Sequence, residues 1–337
     1  EGEQMYGNQA SGIYIGPASY ANTIEENTIS GNKIHGIELS TSKAFNSIAN
    51  NLIGVDITGT RAAPNGVSGI HIALSSDFMI SGNTISGHPH SQITVRYTSS
   101  GGGYIFLNKL GTSITGGNLD WHYYKTQTGL SLLHATVRVE DNLIAYNYRG
   151  IACESSLHAS FWGNRIHDNY LGIAVTNCSP TLTLNAIYEN VRGIEVDGTA
   201  EARMHISGNL LHANQGANSA IHLHDAEALI SGNSIEDDAG DGIAISGSRS
   251  PVIQKNNFSG NQGYAVNHSG SAAVIDARFN WWADPAGPGG AGPGSGDRVS
   301  SGVDYAGWRR EAADLVVAAE RDSFILKIGR QDVGTLY

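Results

Sequence analysis

Glu195, Asp197, His222 and His224 put four titratable groups on two short alternating segments, Gly193-Ile194-Glu195-Val196-Asp197 and Ala220-Ile221-His222-Leu223-His224. If both segments are strands, their apolar residues face one way and the acids and imidazoles the other. Residues two apart on a strand lie about 6.5–7 Å apart and adjacent strands about 4.8 Å apart. Glu195 and Asp197 are therefore a candidate carboxylate pair, with His222 and His224 within hydrogen-bonding reach. Two carboxylates, one protonating the leaving oxygen and one acting as base or nucleophile, are the machinery of glycoside hydrolysis. Glu154 occupies the position of Asp197 two units earlier in the chain, at about 9.6 Å on the same spacing. That is near the upper end of the roughly 6.5–9.5 Å separation of inverting enzymes, and the intervening Thr176 is small. Two imidazoles and two carboxylates on a flat sheet do not by themselves converge on a metal ion, so no metal is assigned. The structural alternative is a solvated ladder whose cross-strand pairs only offset charge.

The elements that must position these groups are repeats. An Asn-x-Ile/Leu-x-x-Asn cassette followed by Gly-Ile-x-Ile recurs, as in GNRIHDNYLGIAV and NAIYENVRGIEV. The leading asparagines Asn142, Asn164, Asn185, Asn209, Asn233 and Asn256 step by 22, 21, 24, 24 and 23 residues. Earlier copies begin at Asn27, Asn51, Asn83 and Asn108. A period of this length with short alternating strands predicts a solenoid in which each coil covers its neighbours. The bias of parallel crossovers makes it right-handed. The expected fold is thus all-β, a right-handed parallel β-helix of about ten coils over residues 1–278. Equivalent asparagines should stack in amide ladders, and the Gly before each strand should supply a positive φ or a close approach.

Two insertions interrupt the period. NLIGVDITGTRAAPNGVSGIHI (Asn51 to Ile72) aligns with NKLGTSITGGNLDWHYYKTQTGLSL (Asn108 to Leu132), and from Asn to the strand-opening Gly they span 18 and 21 residues. Loops on a rigid scaffold are where sites are built. With RYTSSGGGY (Arg96 to Tyr104) leaving the other end of the strand, these insertions are expected to wall a groove. Trp121, His122, Tyr123 and Tyr124 at the tip, with Arg96 and His71 on the strand face, are candidate contacts for sugar rings, through apolar faces and directed hydrogen bonds. The same aromatics also suit a loop that packs on the solenoid as a cover. His88 and His90 read as polar corner residues.

NTISGN, GNRIHDNYLGIAV and GNSIEDDAGDGIAIS resemble the right-handed parallel β-helix repeats of the pectate-lyase-like superfamily and the related carbohydrate-binding and sugar-hydrolase modules. NLIGVDITGTRAAPNGVSG and FNWWADPAGPGGAGPGSGDRVSSGVDYAGW resemble pieces of large secreted bacterial β-helix proteins. The resemblance covers roughly residues 10–308 and implies the fold. It does not choose among the lyases, hydrolases, epimerases, tailspikes and non-catalytic surface proteins that share it. Asp237-Asp238 superficially resembles the paired aspartates of polygalacturonases, but that family's accompanying signatures are absent and its catalytic residues are not carried over.

Residues 279–308, with Phe279, Trp281, Trp282, Tyr305 and Trp308 and a Gly/Pro-rich run from Pro285 to Gly296, are expected to cap the open end of the core without continuing a strand. Residues 309–337 read as a linker or the start of a further module. Cys153 and Cys178 lie on neighbouring coils offset by about three residues, which predicts no disulfide. The formal net charge of −11 and the absence of any Lys/Arg-rich run argue against nucleic acid and anionic membranes as partners. There is no apolar run long enough for a membrane helix. The chain reads as a segment of a larger multidomain protein, secreted or displayed at the cell surface, with any export signal upstream.

The expected function is action on a polysaccharide or cell-surface glycan, by hydrolysis with Glu195 and Asp197 as acid and base and without a cofactor. A non-catalytic carbohydrate-binding or adhesion module is the alternative. A lyase or epimerase is the third class; it needs cations for the substrate carboxylate, or Ca²⁺, in an acidic chain.

Overall fold

The computed structural model describes residues 7–17, 19–40, 45–98, 102–119, 127–156, 158–198, 203–216, 219–271, 274–315, 327–328 and 331–332. Every regular element among them is a strand. The chain is a right-handed parallel β-helix of about eleven turns with three parallel sheets, and it divides into two compact units, residues 1–160 and 161–337.

In the first unit the first sheet stacks Ile13–Ile15, Ile37–Ser40, Ser68–Ala73, Ser91–Arg96, Thr128–Leu133 and Arg149–Glu154, each parallel to the next. In the second unit the same sheet position is filled by Leu171–Thr176, Arg192–Asp197, Ile221–His224, Ile243–Ser246, Tyr264–His268 and Gly296–Val299. The alternation read from the sequence is observed directly. Ile194, Val196, Ile221, Leu223, Ile243 and Ile245 are buried, while Glu195, His222 and Ala244 between them are half-exposed. Each fully buried Ile or Leu contributes about 1.5–3 kcal/mol, so these columns hold the neighbouring polar columns in fixed register.

The corners have a chemistry that sequence periodicity did not separate. Asn177, Leu184, Glu189, Asp225, Asp237 and Lys255 have φ between 45° and 59°. In several coils such a left-handed residue directly precedes a ladder asparagine. Its conformational penalty, about 1–2 kcal/mol for a non-Gly residue, is offset by the amide bonds that follow. Asn209 is typical. Its Nδ2 donates to Leu182 O (3.0 Å), Ser207 O (3.2 Å) and Asn233 Oδ1 (3.0 Å), and its Oδ1 accepts from Asn185 N (2.9 Å) and Nδ2 (3.0 Å). The strand-opening glycines serve close approach instead: a Cβ on Gly172 would sit 2.7 Å from Gly193 O.

Two expectations change. Cys153 and Cys178 are both disulfide-bonded and buried. The offset argument assumed a straight strand, whereas the left-handed Asn177 (φ 46°) turns the chain before Cys178. The Gly/Pro run also contains a short strand, Pro288–Gly290, which pairs with Gly296–Val299 at the sheet edge. There a proline's missing N–H is tolerated. Before it Trp282 is fully buried and stacks on Phe258 at 5.0 Å and 7°.

Candidate functional site

In the second unit a groove of about 290 Å³ is lined by Arg192, Ile194, Glu195, Ser219, His222, Asp241 and Ala244. Two columns build it. Glu195, His222 and Ala244 are register partners on adjacent strands, one residue after the buried isoleucine of each coil. Arg192, Ser219 and Asp241 stand two residues before that isoleucine, Arg192 as the first residue of its strand and the other two at the corner entering theirs. The groove therefore follows the fold's own period, and its walls are corner residues, not the two insertions.

Arg192 Nη1 donates to Glu195 Oε2 at 3.1 Å, and the guanidinium lies 5.7 Å from the Tyr170 ring centroid. Stacking and ion pair together restrict the arginine to one orientation. Asp241 is fixed from the next coil, Oδ1 accepting from the Tyr264 N–H and Oδ2 from Asn267 Nδ2, each at 2.7 Å. A carboxylate that accepts an N–H bond at each oxygen is fixed in orientation. His222 Nε2 lies 3.3 Å from Ser246 Oγ, and His224 Nδ1 lies 3.0 Å from the same oxygen. Ser246 Oγ also lies 3.4 Å from Leu223 O, so its single proton is contested by three neighbours and goes to at most one ring.

Of the residues expected at a site, Glu195 and His222 share this groove. Asp197 and His224 pair in register on the same two strands but are exposed and do not line it. His224 leans toward Asp225, at 3.8 Å. Glu154 is an exposed residue of the first unit. Trp121, His122, Tyr123 and Tyr124 lie outside the described residues. The insertions themselves touch, Ile114 N donating to Gly59 O at 2.9 Å. The corner column of Arg192, Ser219 and Asp241 was missed because alternation was counted from the glycine onward. The signal was present: each stands one residue before the small strand-opening Gly193, Ala220 or Gly242.

Arg96 and His71 belong to a separate cluster in the first unit. His71 stacks on His35 at 4.6 Å and 10°. Burial pushes both imidazoles down, His35 to about 4 with His71 as the second cause, and His71 further through the charge of Arg96. His88 is fully buried, with Nδ1 2.8 Å from Gln92 Oε1 and Nε2 3.0 Å from Asn65 Nδ2. Burial lowers its pKa to about 4, so it is a neutral part of the corner packing.

Residues 1–129 and 111–279 match the family described as periplasmic copper-binding protein (NosD). The chain belongs to the NosD family. No curated protein matches it. Among solved structures it is similar to the Dettilon tailspike protein gp208, with 14% identity, TM-score 0.40, and coverage of 81% of this chain and 62% of that one. It is also similar to the Azotobacter vinelandii mannuronan C-5 epimerase AlgE6 A-module (12%, TM-score 0.40, 89% and 84%). A third is the catalytic unit of a GH87 α-1,3-glucanase from Streptomyces thermodiastaticus (12%, TM-score 0.44, 91% and 65%). The chain thus spans less than two thirds of the length of the tailspike and the glucanase unit.

The NosD description implies copper, and the described residues do not fit it. No group of three or more His, Cys, Asp or Glu among them is arranged to hold a metal ion. Both cysteines are in disulfide form, and Met204 is fully buried. His35 and His71 lie face to face, so their in-plane lone pairs run side by side and do not converge. His167 and His212 stack on either side of Tyr188, 4.8 Å and 5.2 Å from it.

Proposed function

We propose that this NosD-family chain is an exported recognition module that holds a glycan in the groove of its second unit. The observation that carries this reading is the groove's composition. An oriented arginine, two carboxylates, a buried serine and an imidazole line the groove together with Ala244. Directed polar groups on a rigid support are what sugar hydroxyls require. The disulfide favours export, since such bonds persist in oxidising compartments, and the NosD description as periplasmic points the same way.

Hydrolysis is the second reading, favoured by one feature. Glu195 and Asp241 line the same groove two coils apart, roughly 9–10 Å along the axis. In that reading Asp241, oriented by Tyr264 and Asn267, is the base and Glu195 the acid. The test is a panel of neutral, amine-bearing and uronate oligosaccharides, read by calorimetric binding and by release of reducing ends and unsaturated products. Binding without product supports the recognition module. Reducing ends that vanish in Glu195→Gln move the assignment to a hydrolase, unsaturated products move it to a lyase, and absence of both binding and turnover across the panel overturns the glycan reading.

A further inference from the structure

The groove's donors and acceptors are unbalanced. Among its lining residues Arg192 is the one cation, and part of its donor capacity is already committed to Glu195 Oε2. Its Nε is buried without a partner and offers nothing at the surface. Against it stand two carboxylates. Glu195 retains Oε1. Each oxygen of Asp241 takes one N–H and keeps acceptor capacity for another donor. The formal charge of Arg192, Glu195 and Asp241 together is +1 − 2 = −1. Arg298, two coils beyond Asp241, is turned away to Gln262 O and Gly263 O and lies over the Tyr264 ring. Asp197, at the next outward position of the Glu195 strand, adds negative charge beside the groove.

Resting on the glycan reading, we infer that the groove selects amine-bearing sugars, a polymer or oligomer of hexosamine with free ammonium groups. An ammonium group has three donors and no acceptor, the complement of an acceptor-rich acidic trough. A uronate brings a like charge and acceptors where acceptors are already in excess. An N-acetylated sugar keeps the skeleton but loses the charge and two of the three donors.

The experiment measures binding of a fully deacetylated glucosamine hexamer, its fully N-acetylated counterpart and a uronate oligomer of equal length, at low and moderate salt. The native chain is compared with Asp241→Asn, Glu195→Gln and the charge-matched control Glu25→Gln, an exposed residue of the first unit. The free-amine oligomer should bind about tenfold more tightly than the acetylated one at low salt. That difference should shrink in either groove variant and persist in Glu25→Gln. Equal loss in the control would show non-specific attraction to an acidic protein and overturn the proposal. Tighter binding of the acetylated or uronate oligomer would overturn the amine selectivity while leaving the glycan reading in place, and no binding to any of the three would remove both. A groove variant that misfolds is replaced by Ala244→Leu, which adds bulk to the groove lining and should abolish binding without changing charge.

Discussion

Asp241 is a carboxylate whose position is set by its neighbours. Tyr264 N and Asn267 Nδ2 each hold one of its oxygens at 2.7 Å, and both partners belong to the next coil. Removing the side-chain donor in Asn267→Ala leaves the charge but frees its orientation. One hydrogen bond to a charged group is worth about 1.5–3 kcal/mol, so ligand affinity in the groove should fall roughly tenfold by calorimetry. Glu195 and Asp197 offer a sharper contrast within one strand. Glu195 lines the groove with Arg192 on its Oε2, whereas Asp197 is exposed and outside the lining. Glu195→Gln should weaken binding, and Asp197→Asn should leave it within twofold of native, about 0.4 kcal/mol. Equal losses in both variants would show that ligand spreads along the strand face beyond the groove.

At the scale of the element, the corner ladder of the second unit runs Asn169, Asn190, Asn214, Asp238, Asn261. One rung is an aspartate. Asp238 Oδ1 accepts from Asn214 N and Nδ2, both at 2.9 Å, as an asparagine would. Oδ2 occupies the place of an amide NH₂ and is buried without a partner. An asparagine there donates to carbonyls, as Asn190 does to Ile166 O and Tyr188 O. Only a protonated Asp238 can donate in the same way. Its pKa is raised from 3.8 to about 7, chiefly by burial and further by Asp237 and Glu236, against the lowering effect of the Asn214 bonds. Because the folded value lies above the unfolded one, the unfolded chain releases this proton first. Stability is therefore unpenalised below about pH 4, falls as pH rises from about 4 to 7, and levels off above that. At about 1.4 kcal/mol per pH unit the loss has an upper bound of about 4 kcal/mol. Asp238→Asn should raise the denaturation midpoint at pH 8 and have little effect at pH 4, a pH-dependent gap measured by urea unfolding. A constant gap at both pH values would show that protonation is not what the ladder lacks. The converse change, Asn209→Ala, removes all five bonds of a fully buried rung and should cost at least about 3 kcal/mol at any pH.

For the whole molecule, the repeat made the fold legible because each coil solves the same problem. An inward Ile-x-Ile pair, a ladder Asn and a small residue for close approach recur at one period, and each leaves a local mark in the sequence. The site was legible in part. Glu195 and His222 fell on the outward alternation, but Arg192 opens its strand and Ser219 and Asp241 sit just ahead of theirs, where the two-residue period does not hold. The disulfide was misread for the same reason. Cys178 follows Asn177, whose φ of 46° places it in the left-handed region, and three residues through a corner reach a different point from three residues along a strand. Both cysteines are in disulfide form, and such a bond stabilises the folded state by roughly 3 kcal/mol. The protein unfolded in denaturant without reductant should present no titratable thiol, and two after reduction. Reduction should also shift the equilibrium unfolding midpoint downward by the equivalent of that roughly 3 kcal/mol, a shift that Cys153→Ala/Cys178→Ala reproduces without reductant. Free thiols in the unreduced protein would remove the bridge and, with it, the redox argument for export.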